Sequence, residues 1–282
     1  KLHVVWVTDG STDSTNEKLS HYPNVKVLYS PERKGKTAAI NRGIKLVDTS
    51  LIIMTDANTI INPEAVKEVV KLFQDPKVGC VAGEKRVMSR HEGQAAAEGE
   101  GLYWKYESTL KKWDSELYSA MGAAGEFCAI RKELYQEMPE DTLLDDFIVS
   151  MQMVDRGYRI AYTDKAYAME YGSADFQEES KRKRRIAAGG LQSIWRLRRM
   201  LNPFRQPVVA FQYISHRVLR WSITPIALIS LIPLNVALVF GKAGSIYTII
   251  WILQILFYAA ALLGYIFACK GRKNKLLYIA YY

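Results

Sequence analysis

The feature that most constrains the fold of this chain is a pair of long uncharged stretches near its C-terminal end. Residues 221–241 and 243–269 contain no Asp, Glu, Lys or Arg, and about 20 apolar residues suffice to cross the hydrocarbon core of a bilayer. Two buried helices of a soluble core are the alternative, but the length of the stretches and their aromatic flanks favour spans. The sequence therefore predicts two transmembrane helices, at about 221–241 and 245–269, and the start of a third at 276–282.

Basic residues flank these stretches unevenly. The net charge is +9, and many of the Lys and Arg residues lie at 181–185, 196–199, 205, 217 and 220, or again at 270–275. Only Lys242 separates the two stretches. Because cytoplasmic loops are enriched in Lys and Arg, we expect a multi-pass protein of the cell membrane whose preceding domain is cytoplasmic.

The same basic residues could in principle bind nucleic acid. No nucleic-acid-binding module pattern accompanies them, however. Their position beside apolar spans instead favours anionic lipid headgroups or a diphosphate as partners.

Residues 1–170 alternate between strand and helix signals. Strands are predicted at 3–7, 25–29, 51–54 and 78–87, and a helix at 36–47. This alternation indicates an α/β fold, with an open, mostly parallel sheet covered by helices on both faces. We therefore expect three regions: a domain at 1–175, an amphipathic interface helix at 176–206 and a membrane region at 207–282.

Two acidic residues follow predicted strands at the edge where such sheets bind ligands. Asp9 ends the first strand, and Asp56 follows the third with Asn58 two positions later. Asp56 and Asn58 could direct oxygen atoms to a divalent metal, Mg²⁺ or Mn²⁺, which would neutralise a bound diphosphate. Asp and Asn also serve simply as turn residues, so the spacing alone leaves both interpretations open.

Residues 30–37 imitate a phosphate-binding loop. They end in G-K-T, but Ser30 stands where the pattern needs its first glycine, and Pro31 follows it. Without glycine the backbone cannot wrap its amides around a phosphate, which argues against an ATPase. Arg33 and Lys36 can still contact a phosphate as single charges.

A second acidic pair, Asp145 and Asp146, opens a predicted helix at 147–155. A carboxylate at such a position can accept a proton from a hydroxyl group. Acidic residues also favour helix N-termini because of the helix dipole, so the pair alone does not establish a chemical role.

Taken in order, these motifs resemble those of the family 2 glycosyltransferases, whose catalytic domain has the A-type nucleotide-diphospho-sugar transferase fold (GT-A). Residues 9–13 match the D-G-S-x-D turn, 33–41 the R-x-G-K-x-x-A-x-N segment, 55–58 the place of the D-x-D motif, and 144–146 the E-D pair. Residues 122–131 are similar to the glycine-rich segment that approaches the acceptor.

The resemblance implies a role for each matched residue. Asp9 would contact the base or ribose of a nucleotide-sugar donor, with Arg33 and Lys36 beside its diphosphate. Asp56 would bind the donor and, with Asn58, the metal. Asp146, next to Asp145, would be the general base, whereas Gly122 and Gly125 would lie on the acceptor side.

Three departures from the family pattern matter. Asn58 replaces the second acid of D-x-D, and the family's opening strand is absent. Polymerising members carry Q-x-x-R-W, but residues 182–186 end in Arg185 and Ile186, and Trp195 lies nearby in a different order. Arg185 and Trp195 are thus the acceptor-side candidates. The helix is expected to turn its apolar residues towards lipid; these are Ile186, Ile194, Trp195 and Leu201.

The expected function is an inverting transfer of a sugar from a nucleotide-diphosphate donor, with a UDP-sugar as the first candidate. The acceptor would be a saccharide or a lipid-linked molecule at the cytoplasmic face of the membrane. Two alternatives stay open: a processive polysaccharide synthase resembling cellulose or hyaluronan synthases, and a non-catalytic membrane-bound domain that binds a nucleotide.

Overall fold

The computed structural model describes residues 2–88, 95–171, 176–269 and 277. The strands are β1 Val4–Asp9, β2 Val25–Ser30, β3 Leu51–Met54, β4 Ile60–Ile61, β5 Val78–Met88, β6 Cys128–Arg131 and β7 Arg159–Tyr171. The α-helices are α1 Thr15–Ser20, α2 Lys36–Lys45, α3 Ala65–Leu72, α4 Ala95–Leu117, α5 Asp145–Asp155, α6 Phe176–Arg196, α7 Pro207–Tyr213, α8 Leu219–Trp221, α9 Ile223–Phe240 and α10 Ser245–Cys269. Short 3₁₀ segments lie at Lys132–Leu134 and Arg198–Leu201, and a π-helical segment at Ile214–Val218 joins α7 to α8.

The described strands form two sheets. β1 and β2 pair in parallel, and five strands form a second sheet in the order β3-β6-β5-β7-β4. In the second sheet only β5 and β7 pair in parallel; the other neighbours are antiparallel. The α/β prediction is confirmed, but the prediction of a mostly parallel sheet is wrong. A short apolar strand such as β3 or β6 has the same sequence pattern in either direction, so hydrophobic periodicity does not reveal its pairing.

Helices cover both faces of the larger sheet, as predicted. One buried cluster packs α3 against the sheet through Val69, Phe73 and Phe127. The other packs α5 and reaches beyond it to Leu197 and Met200. The segment predicted as an interface helix is therefore also part of the protein core.

The two apolar stretches form α9 and α10, close to the predicted limits. Their most apolar windows have a mean hydropathy of 2.2 and 2.1, and only 6% of each window is buried. Both helices are thus long and apolar enough to cross a membrane, and they are exposed, unlike core helices of soluble proteins. Asn235 Nδ2 donates a hydrogen bond of 2.6 Å to Gln254 Oε1, which joins them. The third span predicted at 276–282 lies outside the described residues, apart from residue 277.

Candidate active site

Asp9, at the end of β1, forms hydrogen bonds with the loop that follows β2. Its Oδ2 accepts hydrogen bonds from the backbone N–H groups of Lys34 (2.9 Å) and Gly35 (2.6 Å). Its Oδ1 lies 3.0 Å from an Arg42 guanidinium nitrogen. The parallel pairing aligns Asp9 with Ser30, which brings the loop after β2 within reach of this carboxylate. Asp9 therefore shapes the loop that precedes α2.

Gly10 allows the two turns to approach closely. Its φ of +69° favours glycine, and a Cβ here would lie 2.7 Å from Arg33 Cβ. Beside these turns lies a cavity of about 450 Å³, within the size range of small-molecule pockets. It is lined by Asp9, Gly10, Ser11, Thr12, Asp13, Arg33, Gly35 and Lys36.

Lys36 connects this cavity to a cluster of carboxylates. Its Nζ lies 2.7 Å from Asp56 Oδ1 and 3.6 Å from Asp145 Oδ2. A Cβ on Gly125 would lie 3.0 Å from Lys36 Nζ and 3.4 Å from Asp146 Oδ2, which shows how near these groups are. The structure thus brings Lys36, Asp56, Asp145 and Asp146 together, with Lys36 also facing the cavity that Asp9 helps to form.

The cluster carries more negative than positive charge. Three carboxylates and one ammonium leave two negative charges when all are ionised. Burial alone would lower the pKa of Lys36, but the carboxylates of Asp145, Asp56 and Asp146 outweigh it and raise that pKa above its usual value. Burial and the adjacent Asp145 carboxylate raise the pKa of Asp146 to about 6, although the Lys36 ammonium opposes this.

Hydrogen bonds fix the loops that carry these groups. Thr55 Oγ1 donates to the Glu126 carbonyl (2.9 Å), which joins the turn containing Asp56 to the loop containing Gly125. On α5, the N–H of Phe147 donates to Asp146 Oδ1 (2.8 Å). The side of the site predicted to face an acceptor is therefore defined mainly by the loop before β6 and the first turn of α5.

Gly122 packs closely against the first turn of α5. Its φ is +100°, and a Cβ at this position would lie 2.4 Å from the Phe147 ring. The next residue, Ala123, donates its N–H to Ser150 Oγ on α5 (3.0 Å). Gly122 thus packs against the residue after Asp146, whereas Gly125 adjoins Asp146 itself.

The remaining predicted residues lie farther out. Asn58 is exposed in the turn that follows Asp56. Arg185 is exposed one turn before Gly189, which packs on Leu144. Trp195 is 70% exposed, and Arg198 lies over its ring at 4.8 Å. Within residues 2–88, 95–171 and 176–269, no group of three or more Asp, Glu, His or Cys side chains is arranged to hold a metal ion.

Sequence reasoning missed several charged residues near the site. Arg42 pairs with Asp9, and Glu126 pairs with Lys85, whose Nζ lies 2.5 Å from Glu126 Oε1. Lys85 also contacts Glu170. Lys85 stands between Glu84 and Arg86 in β5, so the local sequence does not indicate that this lysine is the buried one.

A family model described as "Glycosyltransferase like family 2" matches residues 1–189, more than half of the chain. The chain belongs to this family. Membership confirms the resemblance and the expected enzyme class.

Two curated relatives of this glycosyltransferase chain are informative. It is 28% identical over 172 residues to the poly-β-1,6-N-acetyl-D-glucosamine synthase of Staphylococcus aureus, covering 57% of this chain and 41% of that protein. It is 24% identical over 173 residues to an O-antigen chain rhamnosyltransferase of Salmonella anatum, covering 58% of this chain and 54% of that protein. The chain thus spans about half the length of these relatives or less.

A solved structure supports the fold of this family 2 member. A mannosyltransferase from Pyrobaculum calidifontis, in complex with GDP-Man and Mn²⁺, superimposes with a TM-score of 0.63 at 22% identity. The match covers 93% of this chain and 77% of that one. At this identity the likeness concerns the fold, and it confirms the predicted GT-A architecture.

Proposed function

We propose that this chain transfers a sugar from a nucleotide-diphosphate donor to a hydroxyl group of a saccharide or lipid-linked acceptor. One observation carries the proposal: Lys36 lines the cavity beside β1 and also contacts the carboxylate cluster that contains Asp146. A donor lying along this line would have its nucleoside in the cavity and its diphosphate at Lys36. Its sugar would then lie towards Gly125 and Asp146.

The donor side is defined by charge and shape. Arg33 and Lys36 supply positive charge at the cavity wall. Asp9 keeps the loop before α2 in place through its bonds to the Lys34 and Gly35 amides. A direct contact of Asp9 with the base or ribose is the finer part of the proposal, with a UDP-sugar as the first candidate donor.

We propose that a divalent cation, Mg²⁺ or Mn²⁺, binds beside Asp56 together with the donor, whose phosphate oxygens would supply ligands that the described side chains alone do not. The cluster has an excess of two negative charges, and a diphosphate would add more. Asp56, one-third exposed, and the exposed Asn58 are the protein oxygen ligands proposed to hold the ion. When bound, it supplies charge neutralisation for the departing nucleoside diphosphate. The related mannosyltransferase structure contains Mn²⁺.

The chain's own groups would perform an inverting displacement. Asp146, ionised above about pH 6, accepts the proton of the acceptor hydroxyl. The oxygen then attacks the anomeric carbon as the bond to the diphosphate breaks. Lys36 stabilises the charge that develops on the leaving group. Asp145 assists by raising the pKa of Asp146, so that this carboxylate is a stronger base than an ordinary aspartate.

Membrane attachment is the second part of the proposal. Helices α9 and α10 are apolar and exposed, which suits lipid surroundings. The segments before α9 expose Trp195, Phe204 and Phe211 close in sequence to Arg198 and Arg199. Aromatic and basic side chains are favoured at the boundary of a bilayer with anionic lipids. The basic residues that flank these helices favour a catalytic domain on the cytoplasmic side of the cell membrane.

The Asp146→Asn variant tests the mechanism. Purified protein is incubated with UDP-GlcNAc or GDP-mannose and Mn²⁺, and nucleoside diphosphate release and sugar transfer are measured. We expect the variant to bind the donor nearly as well as the original chain while transfer falls by at least about 100-fold. Asp141→Asn is the matched control, because Asp141 is an exposed partner of Arg196 outside the cluster. Full transfer by Asp146→Asn would remove Asp146 from the mechanism.

A processive synthase is a second candidate, favoured by one observation: the Staphylococcus aureus relative is a polysaccharide synthase. Ile186 stands where polymerising members have tryptophan, which argues for transfer of single sugars. Product length distinguishes the two. Long polymer from donor alone would establish the synthase, whereas addition of one sugar would establish the simple transferase.

A further inference from the structure

Arg217 lies in the π-helical segment just before the first candidate span, yet its contacts reach the active site. Its side chain is buried, with 9% exposed, and its Nε donates a hydrogen bond of 2.7 Å to the Met121 carbonyl. Its Nη2 lies 2.7 Å from Glu107 Oε1 on α4. The guanidinium also lies over the rings of Phe147 (5.6 Å) and Trp221 (5.7 Å).

Two of these contacts adjoin the groups that form the acceptor side of the site. Met121 precedes Gly122, and Phe147 follows Asp146 and donates its N–H to the Asp146 carboxylate. Arg217 therefore touches both the loop before β6 and the first turn of α5. A shift of its guanidinium would move the loop relative to the carboxylate.

Glu107 holds Arg217 in this position. Burial would raise the pKa of Glu107, but Arg217 and other basic neighbours keep that pKa well below its usual range, so the pair is ionised. Arg220 contacts the second oxygen of the same carboxylate at 2.9 Å. π-Helical segments often occur at functional sites, and here the segment lets Arg217 bridge α4 and α5.

We propose that Arg217 is a positioning residue for Asp146. It fixes the distance between the general base and the loop beside the acceptor, and it does so from the helix that leads into the membrane region. The inference rests on the proposed function, because it assumes that Asp146 is the base.

The test compares Arg217→Lys with Arg220→Lys, using the donor, UDP-GlcNAc or GDP-mannose, that the original chain turns over. Both variants keep a positive charge near Glu107. Lysine, however, lacks the planar fork with which Arg217 reaches a carbonyl and a carboxylate at once. The described ion pair of Arg220 is with Glu107, and no contact of its side chain with Met121 or Phe147 is found among the described residues. We expect Arg217→Lys to lower kcat for transfer by about tenfold or more with donor KM changed less than about threefold, and Arg220→Lys to stay within about twofold.

The outcomes separate positioning from general structural support. Equal losses in both variants, or a matching rise in donor KM, would overturn the inference, as would an unchanged kcat in Arg217→Lys. Thermal unfolding shows whether the variants fold. If Arg217→Lys does not, Phe147→Leu removes the ring beneath the guanidinium while leaving the pair with Glu107; it should reduce kcat alone, and an unchanged kcat would overturn the inference.

Asp146→Asn distinguishes this failure from that of the proposed function. If Asp146→Asn transfers sugar at the original rate, the proposed function and the inference both fail. If Asp146→Asn is inactive while Arg217→Lys is fully active, only the role of Arg217 is refuted.

Discussion

Gly125→Ala adds a single methyl group at the centre of the proposed site. The new carbon would lie 3.0 Å from Lys36 Nζ and 3.4 Å from Asp146 Oδ2. Ordinary contacts begin near 3.4 Å, so the ammonium has to retreat by roughly 0.4 Å. The Lys36 side chain is flexible, and Gly125 is not one of the glycines with a positive φ. The fold itself should therefore tolerate the added methyl group.

The expected loss follows from the displacement of the Lys36 ammonium, which is proposed to stabilise the leaving diphosphate. Moving it from roughly 2.7 Å to roughly 3.1 Å from a phosphate oxygen weakens their attraction by about 0.8 kcal/mol at an effective dielectric constant of about 20. That energy corresponds to about fourfold in rate. Misplacement of reacting groups can cost up to about 100-fold, so we expect a loss between these limits.

The assay is sugar transfer at saturating donor, measured together with thermal unfolding. Gly101→Ala on α4 is the matched control, since its methyl group would meet no atom within 4 Å. The Gly125→Ala melting temperature should fall by less than about 3 °C while its rate drops. If Gly125→Ala and Gly101→Ala transfer sugar equally fast, Gly125 does not adjoin the reacting groups.

Three further predictions concern the ionisation of Asp146, the charge of Lys36 and the metal ligand proposed at Asn58. The rate of transfer should rise with pH through a midpoint of about 6, because Asp146 acts as a base only when deprotonated and its pKa is raised; a flat profile between pH 5 and 7 would contradict this. Lys36→Met should lower transfer by at least about 100-fold and move the midpoint to higher pH, since the ammonium lowers the pKa of Asp146; a pH titration of the residual rate measures both. Asn58→Asp should reduce the Mn²⁺ concentration needed for half-maximal activity and Asn58→Ala should increase it, because a carboxylate is a stronger ligand than an amide; a metal titration after EDTA treatment that gives equal midpoints would exclude this position as a ligand.

Features set by neighbouring residues could be predicted from the sequence. The spans follow from uninterrupted apolar composition, and α9 and α10 match them closely. The turn at residues 9–13 could be predicted because its residue types favour turns, and Gly10 there has a positive φ. The motif order was specific enough to identify the family, which the match over residues 1–189 confirms.

Features set by long-range pairing could not be predicted. β6 lies between β3 and β5, and this places Gly125 beside the turn that carries Asp56. No local pattern encodes that order or the antiparallel direction of β6. Arg217 was counted as part of a basic membrane flank, because charge alone does not show that a side chain is buried against Glu107. The roles of Asp9, Arg185 and Trp195 towards a substrate stay predictions.

The salt bridge between Lys36 and Asp56 has a consequence for the resting enzyme. Without a donor, this ammonium already has an anionic partner, and the neighbouring Asp145 and Asp146 leave the cluster with a net negative charge that repels stray anions. In the proposed function, the diphosphate of a donor has to compete with Asp56 for Lys36, and its binding leaves the Asp56 carboxylate without that partner. Donor binding would thereby free a second binding group, so that the site would become ready for reaction only when the donor is present.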